Sequence, residues 1–364
     1  MDPLTINVLS RSLSLKGFRT FALALSASAM LGLASCAENT PDGGTGTNPE
    51  PETPFEHPKD FPPVMHPQDN PTSAEKIELG RRLFYDKRMS FNNTHSCGTC
   101  HEADNGFADP VNVNSDKRGA QARQAMAVIN VAYNNALLWD SSFSSLEQQV
   151  EGPFNSSHEF NQKPELAIAK LQKDPIYKDL FVKAYGDENI TFDRIRKAIS
   201  TFERTFISGN SPADMYSRGN TSALTEAQIR GRNLFMDTNR TNCVHCHSDY
   251  NFSDGSLHST GLEEHYSDGG LETLTGNEGD NGKFRTPTLR NIKETGPYMH
   301  DGRFATLRQV LQHYNQGGHQ SKNKSPFMRP LNLSDQDLDD LRLFLEGLSD
   351  KQFLTRKDLQ DPWK

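Results

Sequence analysis

The chain has 364 residues, 34% of them hydrophobic, with 26 glycines, 20 prolines and a formal net charge of −8. That length suits about two domains, and the mildly acidic balance gives a nucleic-acid role no support. After the N-terminal region no stretch is long or apolar enough to span a membrane.

The chain opens as an export signal over residues 1–36. Arg11, Lys16 and Arg19 form a basic region, and Phe21 to Leu33 is an apolar run too short for a comfortable span. It ends Leu33-Ala34-Ser35-Cys36, which resembles a bacterial lipoprotein box. That resemblance implies that Cys36 becomes the lipid-modified first residue of a periplasmic protein, with the lipid as its membrane contact. The alternative is an ordinary signal peptide with an incidental cysteine. Residues 37–58 are rich in Pro, Gly, Thr and Asn without an apolar period and read as a disordered linker.

Two pentapeptides then organise the rest: Cys97-Gly98-Thr99-Cys100-His101 and Cys243-Val244-His245-Cys246-His247. Each reads as a c-type haem attachment site, with two thiols for the thioethers and a histidine for the iron. A zinc site or redox disulfide also uses Cys-x-x-Cys, but neither calls for His directly after the second Cys in both copies. The two motifs use four of the five cysteines. Two covalent haem c groups are expected, and their attachment outside the cytoplasm agrees with export.

An internal repeat surrounds the motifs. The helix pattern Glu75 to Phe84 precedes the first, after Thr72 or Ser73 as cap; Glu226 to Phe235 precedes the second, after Thr225. Gly80 and Gly231 recur inside these helices, where a missing side chain permits close approach to the haem or to another helix. Downstream, Asn130 lies nine residues before Trp139-Asp140, and Asn291 nine before His300-Asp301. Further helices are expected at 144–151, 164–172, 191–207, 306–315 and 334–347. The expected fold is mainly α, with two tandem cytochrome-c-like haem domains joined by long loops: 59–210, 211–350, then a C-terminal tail, 351–364. His57, His66, His95, His258, His265 and His319 lie in polar, loop-like contexts and read as solvated.

Between about 60 and 350 the chain resembles the bacterial diheme cytochrome c peroxidases and their relative MauG. The motifs that carry this are Leu138-Trp139-Asp140, Phe284-Arg285-Thr286-Pro287-Thr288-Leu289-Arg290-Asn291 and Pro297-Tyr298-Met299-His300-Asp301-Gly302-Arg303. The resemblance implies that Trp139 couples the two haems electronically. It also implies that Glu159, twenty residues on, works on peroxide above the N-terminal haem. A carboxylate there can move a proton from the near to the far oxygen as the O–O bond breaks. Arg285 matches a family residue near a haem propionate. The family also carries a calcium ion between its domains, and Gln124, Thr295 and Pro297 match its protein ligands; Gln in place of Asn is a longer amide donor.

Two features depart from the peroxidases. Many of them block the N-terminal haem with a histidine, yet none occurs here from Glu102 to Phe154. Their C-terminal haem takes a distal Met, whereas the matching position here is Tyr314, as in MauG. A phenolate ligand lowers the potential and a thioether raises it. Met328, before the last helix, is the rival ligand. The implied function is reduction of hydrogen peroxide to water, with electrons passing from the C-terminal to the N-terminal haem. The donor would be a small cytochrome, a cupredoxin or a quinol system. MauG-like oxidation of a protein or small molecule, and plain electron transfer, are the alternatives.

Overall fold

A computed structural model describes residues 57–111 and 123–364 of the chain. The export segment, Cys36 and the linker up to residue 56 lie outside the described residues. The described residues belong to one compact unit, Pro51–Lys364, and no helix among them is long and apolar enough to cross a membrane.

The first half holds α1 (Ala74–Tyr85), α2 (Cys97–Cys100), α3 (Leu146–Gln149), α4 (Glu151–Asn155), α5 (Pro164–Leu171), α6 (Pro175–Tyr185) and α7 (Phe192–Glu203). The second holds α8 (Pro212–Ser217), α9 (Glu226–Met236), α10 (Glu272–Thr275), α11 (Leu307–Gln316) and α12 (Asp335–Glu346). Then comes α13 (Lys351–Thr355). The only sheet among the described residues is the antiparallel pair β1 (Leu257–His258) and β2 (Phe284–Arg285). Helix starts follow their caps: the hydroxyls of Ser73 and Thr225 accept from the backbone N–H groups of Lys76 and Gln228. Beside the short α2, α10 and α13, two further helices are additions to those expected, α6 and α8. Both begin with proline after a capping Asp174 or Ser211.

The repeat is structural as well as sequential. α1 packs on α7, and α9 on α12. At Gly80 a Cβ would collide with the carbonyl of Ala198 and crowd Phe202; at Gly231 it would collide with that of Asp340 and crowd Phe344. Both glycines therefore serve a helix–helix crossing. The symmetry continues in the backbone. Asn130 N–H donates to Phe206 O (2.8 Å), as Asn291 N–H does to Leu348 O (3.1 Å). Asn130 Nδ2 donates to Ser208 O and Asn291 Nδ2 to Asp350 O. Both asparagines hold positive φ, which Asn tolerates better than most residues. Ser208 Oγ donates to Asn291 Oδ1 (2.6 Å), tying one half to the other.

Each half has its own core. Leu79, Leu83, Phe84, Ile199, Phe202 and Phe206 lie in the first; Leu234, Phe235, Leu311, Leu341, Phe344 and Leu348 in the second. A smaller cluster of Phe61, Val64 and Ile207, with Tyr133 and Tyr250 against it, spans both. Residues 351–364, expected only as a tail, fold back on the first half. Phe353 and Leu359 are buried in its core. Tyr85 Oη donates to Leu359 O (2.6 Å), and Trp363 lies beneath the Arg82 guanidinium.

Candidate haem sites

Local structure positions each ligand. The first pentapeptide forms the single turn α2, entered at Ser96; the second begins a 3₁₀ turn, Cys243–His245, after Asn242 at positive φ. A tight turn puts both cysteines and the following histidine on one side. His101 Nδ1 lies 3.0 Å from Phe107 O, and His247 Nδ1 lies 3.0 Å from Phe252 O. In each ring the carbonyl fixes the Nδ1–H tautomer and leaves Nε2 as the ligand atom. Burial lowers the pKa of both, while backbone contacts to Phe107 and Met126, and to Phe252 and Pro287, oppose that shift. Neutral imidazole is the form that binds a metal. Burial also raises the thiol of Cys97, with smaller contributions from the negative charges of Glu203 and Glu159, and raises that of Cys243.

The second site is a largely apolar cavity of about 240 Å³, walled by Cys243, Cys246, His247, Leu311, Leu341 and Leu345. Thiols, an oriented imidazole and aliphatic walls together fit a covalently held macrocycle. Tyr314 and Met328 both line this cavity. Tyr314 sits on α11, and burial pushes its phenol well above the ordinary value. Loss of its proton therefore needs a metal to drive it. Met328 comes from a loop pinned elsewhere: Asn315 bonds Leu331 and Leu333. His313 turns away, with Nε2 3.1 Å from Thr260 O. His258, expected in solvent, lines the cavity instead and meets Asp254 at 2.8 Å.

Arg285 is buried without a carboxylate partner among the described residues; its bonds run to Leu138 O, Thr286 O and Met126 Sδ. Burial alone brings its guanidinium down to about 10. A buried cation in a cavity wall suits an anionic group such as a propionate. Trp139 lines the same cavity; its Nε1–H donates to Gln124 O (2.7 Å), and its carbonyl accepts from Arg285 N–H (2.7 Å). Met126, which reaches His101, is on that wall too. Trp139 therefore stands where the first half meets the second cavity.

Gln124 is also the centre of the expected calcium set. Its N–H donates to His300 O (2.6 Å) and its Nε2 to Asp109 O (2.6 Å), while Oε1 is buried with no hydrogen-bond partner among the described residues. Thr295 and Pro297 line the same cavity. An orphaned amide oxygen close to backbone carbonyls is chemically suited to a hard cation.

In the first half the position matching Tyr314, counted from the caps Ser145 and Thr306, is Pro153. Proline carries no side-chain atom that can bind iron. Glu159 lies in the turn after α4, exposed, and the next residue, Phe160, donates its N–H to Pro153 O (3.0 Å). This bond sets Glu159 beside Pro153, and the carboxylate is near enough to act on Cys97. Sequence reading overlooked Glu203, buried in the first half. Carrying the repeat through α7 and α12 would have found it, because Phe202-Glu203 matches Phe344-Leu345.

Comparison with known proteins agrees with this geometry. Residues 74–222 match the di-haem cytochrome c peroxidase family and residues 228–349 the cytochrome c family. The methylamine utilization protein MauG of Methylophilus methylotrophus is 34% identical, over 83% of this chain and 89% of that protein. Cytochrome-c peroxidase IdrP1 of Pseudomonas sp. (strain SCT) is also 34% identical, over 82% of this chain and 87% of its own length. The crystal structure of a MauG-like protein associated with microbial copper homeostasis superposes with a TM-score of 0.80 at 34% identity, covering 85% of this chain and 99% of that one. The chain is a mainly helical oxidoreductase with two cytochrome-c-type domains, and it belongs to the di-haem cytochrome c peroxidase and MauG family.

Proposed function

We propose that this protein is a periplasmic diheme peroxidase that reduces hydrogen peroxide to water. Electrons would enter from a small cytochrome, a cupredoxin or a quinol system. The observation that carries the reading is the contrast between Pro153 and Tyr314 at matching positions. One site offers an open face with a carboxylate beside it, and the other offers a ligand. Haem iron bound on His101 supplies the electron chemistry at peroxide. Glu159 takes the proton from the near oxygen and gives it to the departing one. His247 and Tyr314 would hold the second iron, Trp139 would couple the two sites, and Arg285 would hold a propionate. Gln124, with the carbonyls of Thr295 and Pro297, holds one calcium ion between the halves. Cys36 anchors the protein by lipid.

The test is the resting EPR spectrum with and without peroxide. One high-spin and one low-spin ferric signal, both changing on peroxide addition without prior reduction, are expected. Two low-spin signals indifferent to peroxide would make the protein an electron carrier. MauG-like oxidation of another molecule is the second reading, favoured by Tyr314. Steady turnover of peroxide with a reduced small cytochrome separates the two, since an oxidase of that kind would not consume the donor.

A further inference from the structure

The first site contains a buried carboxyl that proton transfer to peroxide does not use. Glu203 closes α7, is 5% exposed, and its Oε2 has no hydrogen-bond partner among the described residues. One turn earlier, Ser200 Oγ is also buried without one. The paired bonds of Asn130 and Asn291, and the matched crossings at Gly80 and Gly231, set the register between the halves. In that register Glu203 occupies the place of Leu345, which lines the second haem cavity. Its charge is felt at Cys97. The carboxyl therefore belongs to the wall of the first haem site, at the thioether edge, where the matching residue of the second site is the hydrocarbon side chain of Leu345.

We propose that Glu203 is a redox-linked proton-binding residue of the first haem. It carries a proton while the iron is reduced and releases that proton to solvent when the iron gives up an electron. Reduction takes back one electron and one proton. The driving force is Coulombic: oxidation adds a positive charge to the macrocycle, and in a dry site that charge favours a nearby carboxylate. Among the described residues two other charged groups act on Glu203. Arg204, adjacent to it, favours ionisation, and Glu147 on α3 opposes it; α1 and α5 contribute none. Glu147 is itself bound to Arg204 at 2.8 and 3.0 Å, which spends much of that guanidinium's field. Burial dominates and raises the carboxyl to about 8, so it exchanges its proton near neutrality. The proposal rests on haem at Cys97, Cys100 and His101, and not on any role for Glu159.

The test is potentiometric titration of the haem-loaded protein, following each haem by its own absorption from about pH 6 to about pH 9. Because reduction takes up a proton, the potential of the first haem should fall as pH rises. The limiting slope is about 59 mV per unit, a tenfold change in the equilibrium for one electron. Glu203→Gln should flatten that slope and leave the second haem's slope as it was. A slope that survives the substitution unchanged would assign the proton to another group and overturn the proposal. So would a first haem whose potential ignores pH. Should the Gln variant fail to take up haem, redox-difference infrared spectroscopy of the unaltered protein decides. A protonated-carboxyl C=O band should appear on reduction and vanish on oxidation, and its absence would overturn the assignment.

Discussion

The two haem domains share one frame and differ in what that frame presents. The crossing of α1 with α7 repeats as that of α9 with α12, down to the glycine each needs. The asparagine clamps and the imidazole–carbonyl bonds repeat as well. Three matched positions diverge: Trp139 against His300, Pro153 against Tyr314, and Glu203 against Leu345. The frame suits a haem in each half, and in the proposed function these few side chains separate the haem that meets substrate from the haem that stores charge. His300 shows how completely a position can change use: it stacks on Phe284 with ring centroids 3.8 Å apart, while Trp139 faces the cavity.

The comparison can be broken most severely at the shared ligands. His101→Ala should abolish reaction with peroxide and leave the low-spin spectrum of the second haem in place; His247→Ala should do the reverse to the spectra. Stopped-flow absorbance and EPR of the two variants check this. Glu159→Gln keeps the shape and removes the titrating oxygen. It should slow peroxide decay on the order of a hundredfold with both haems still attached, as measured by single-turnover kinetics and haem staining.

Smaller changes sharpen the comparison. Gly80→Ala and Gly231→Ala each force a methyl into a backbone carbonyl and should destabilise their own domain by about 1–3 kcal/mol. Thermal unfolding followed at each haem's band should show the loss in the altered half first. The least disruptive pair concerns the second iron. Tyr314→Phe should change the low-spin spectrum and raise that haem's potential, whereas Met328→Leu should leave both unaltered. The opposite result would make Met328 the ligand and the second haem an easily reduced electron store.

Much of this was legible because the signals were local or duplicated. A CxxCH turn needs no distant partner to be read, and its second copy made the repeat visible. Ser73 and Thr225 announced their helices, as capping chemistry requires. The purpose of Gly80 and Gly231 was open between haem and helix, since a missing side chain says nothing about what fills the space. His258 read as a loop residue because no sequence rule folds β1 over the second cavity. Glu203 was hidden for a related reason. An acidic residue at a helix end usually faces water, and the match with Leu345 that puts it inside emerges only when the repeat is carried as far as α7 and α12. Residues 351–364 gave no hint of their destination, because the surface that receives them includes α1, whose Tyr85 lies 274 residues before Leu359.

That return has a consequence for how the protein is made. Phe353 and Leu359 complete the core around α1 and α7, and Arg356 Nη1 donates to Thr205 O (2.9 Å) just beyond it. A polypeptide made from its N-terminus contains the first CxxCH long before these residues exist. The first domain must wait, unsealed, while the whole second domain is made. During that interval the core against which Cys97 packs is still incomplete. The strap can close only after the second domain has been synthesised, so chain order alone makes the first half the last to be sealed.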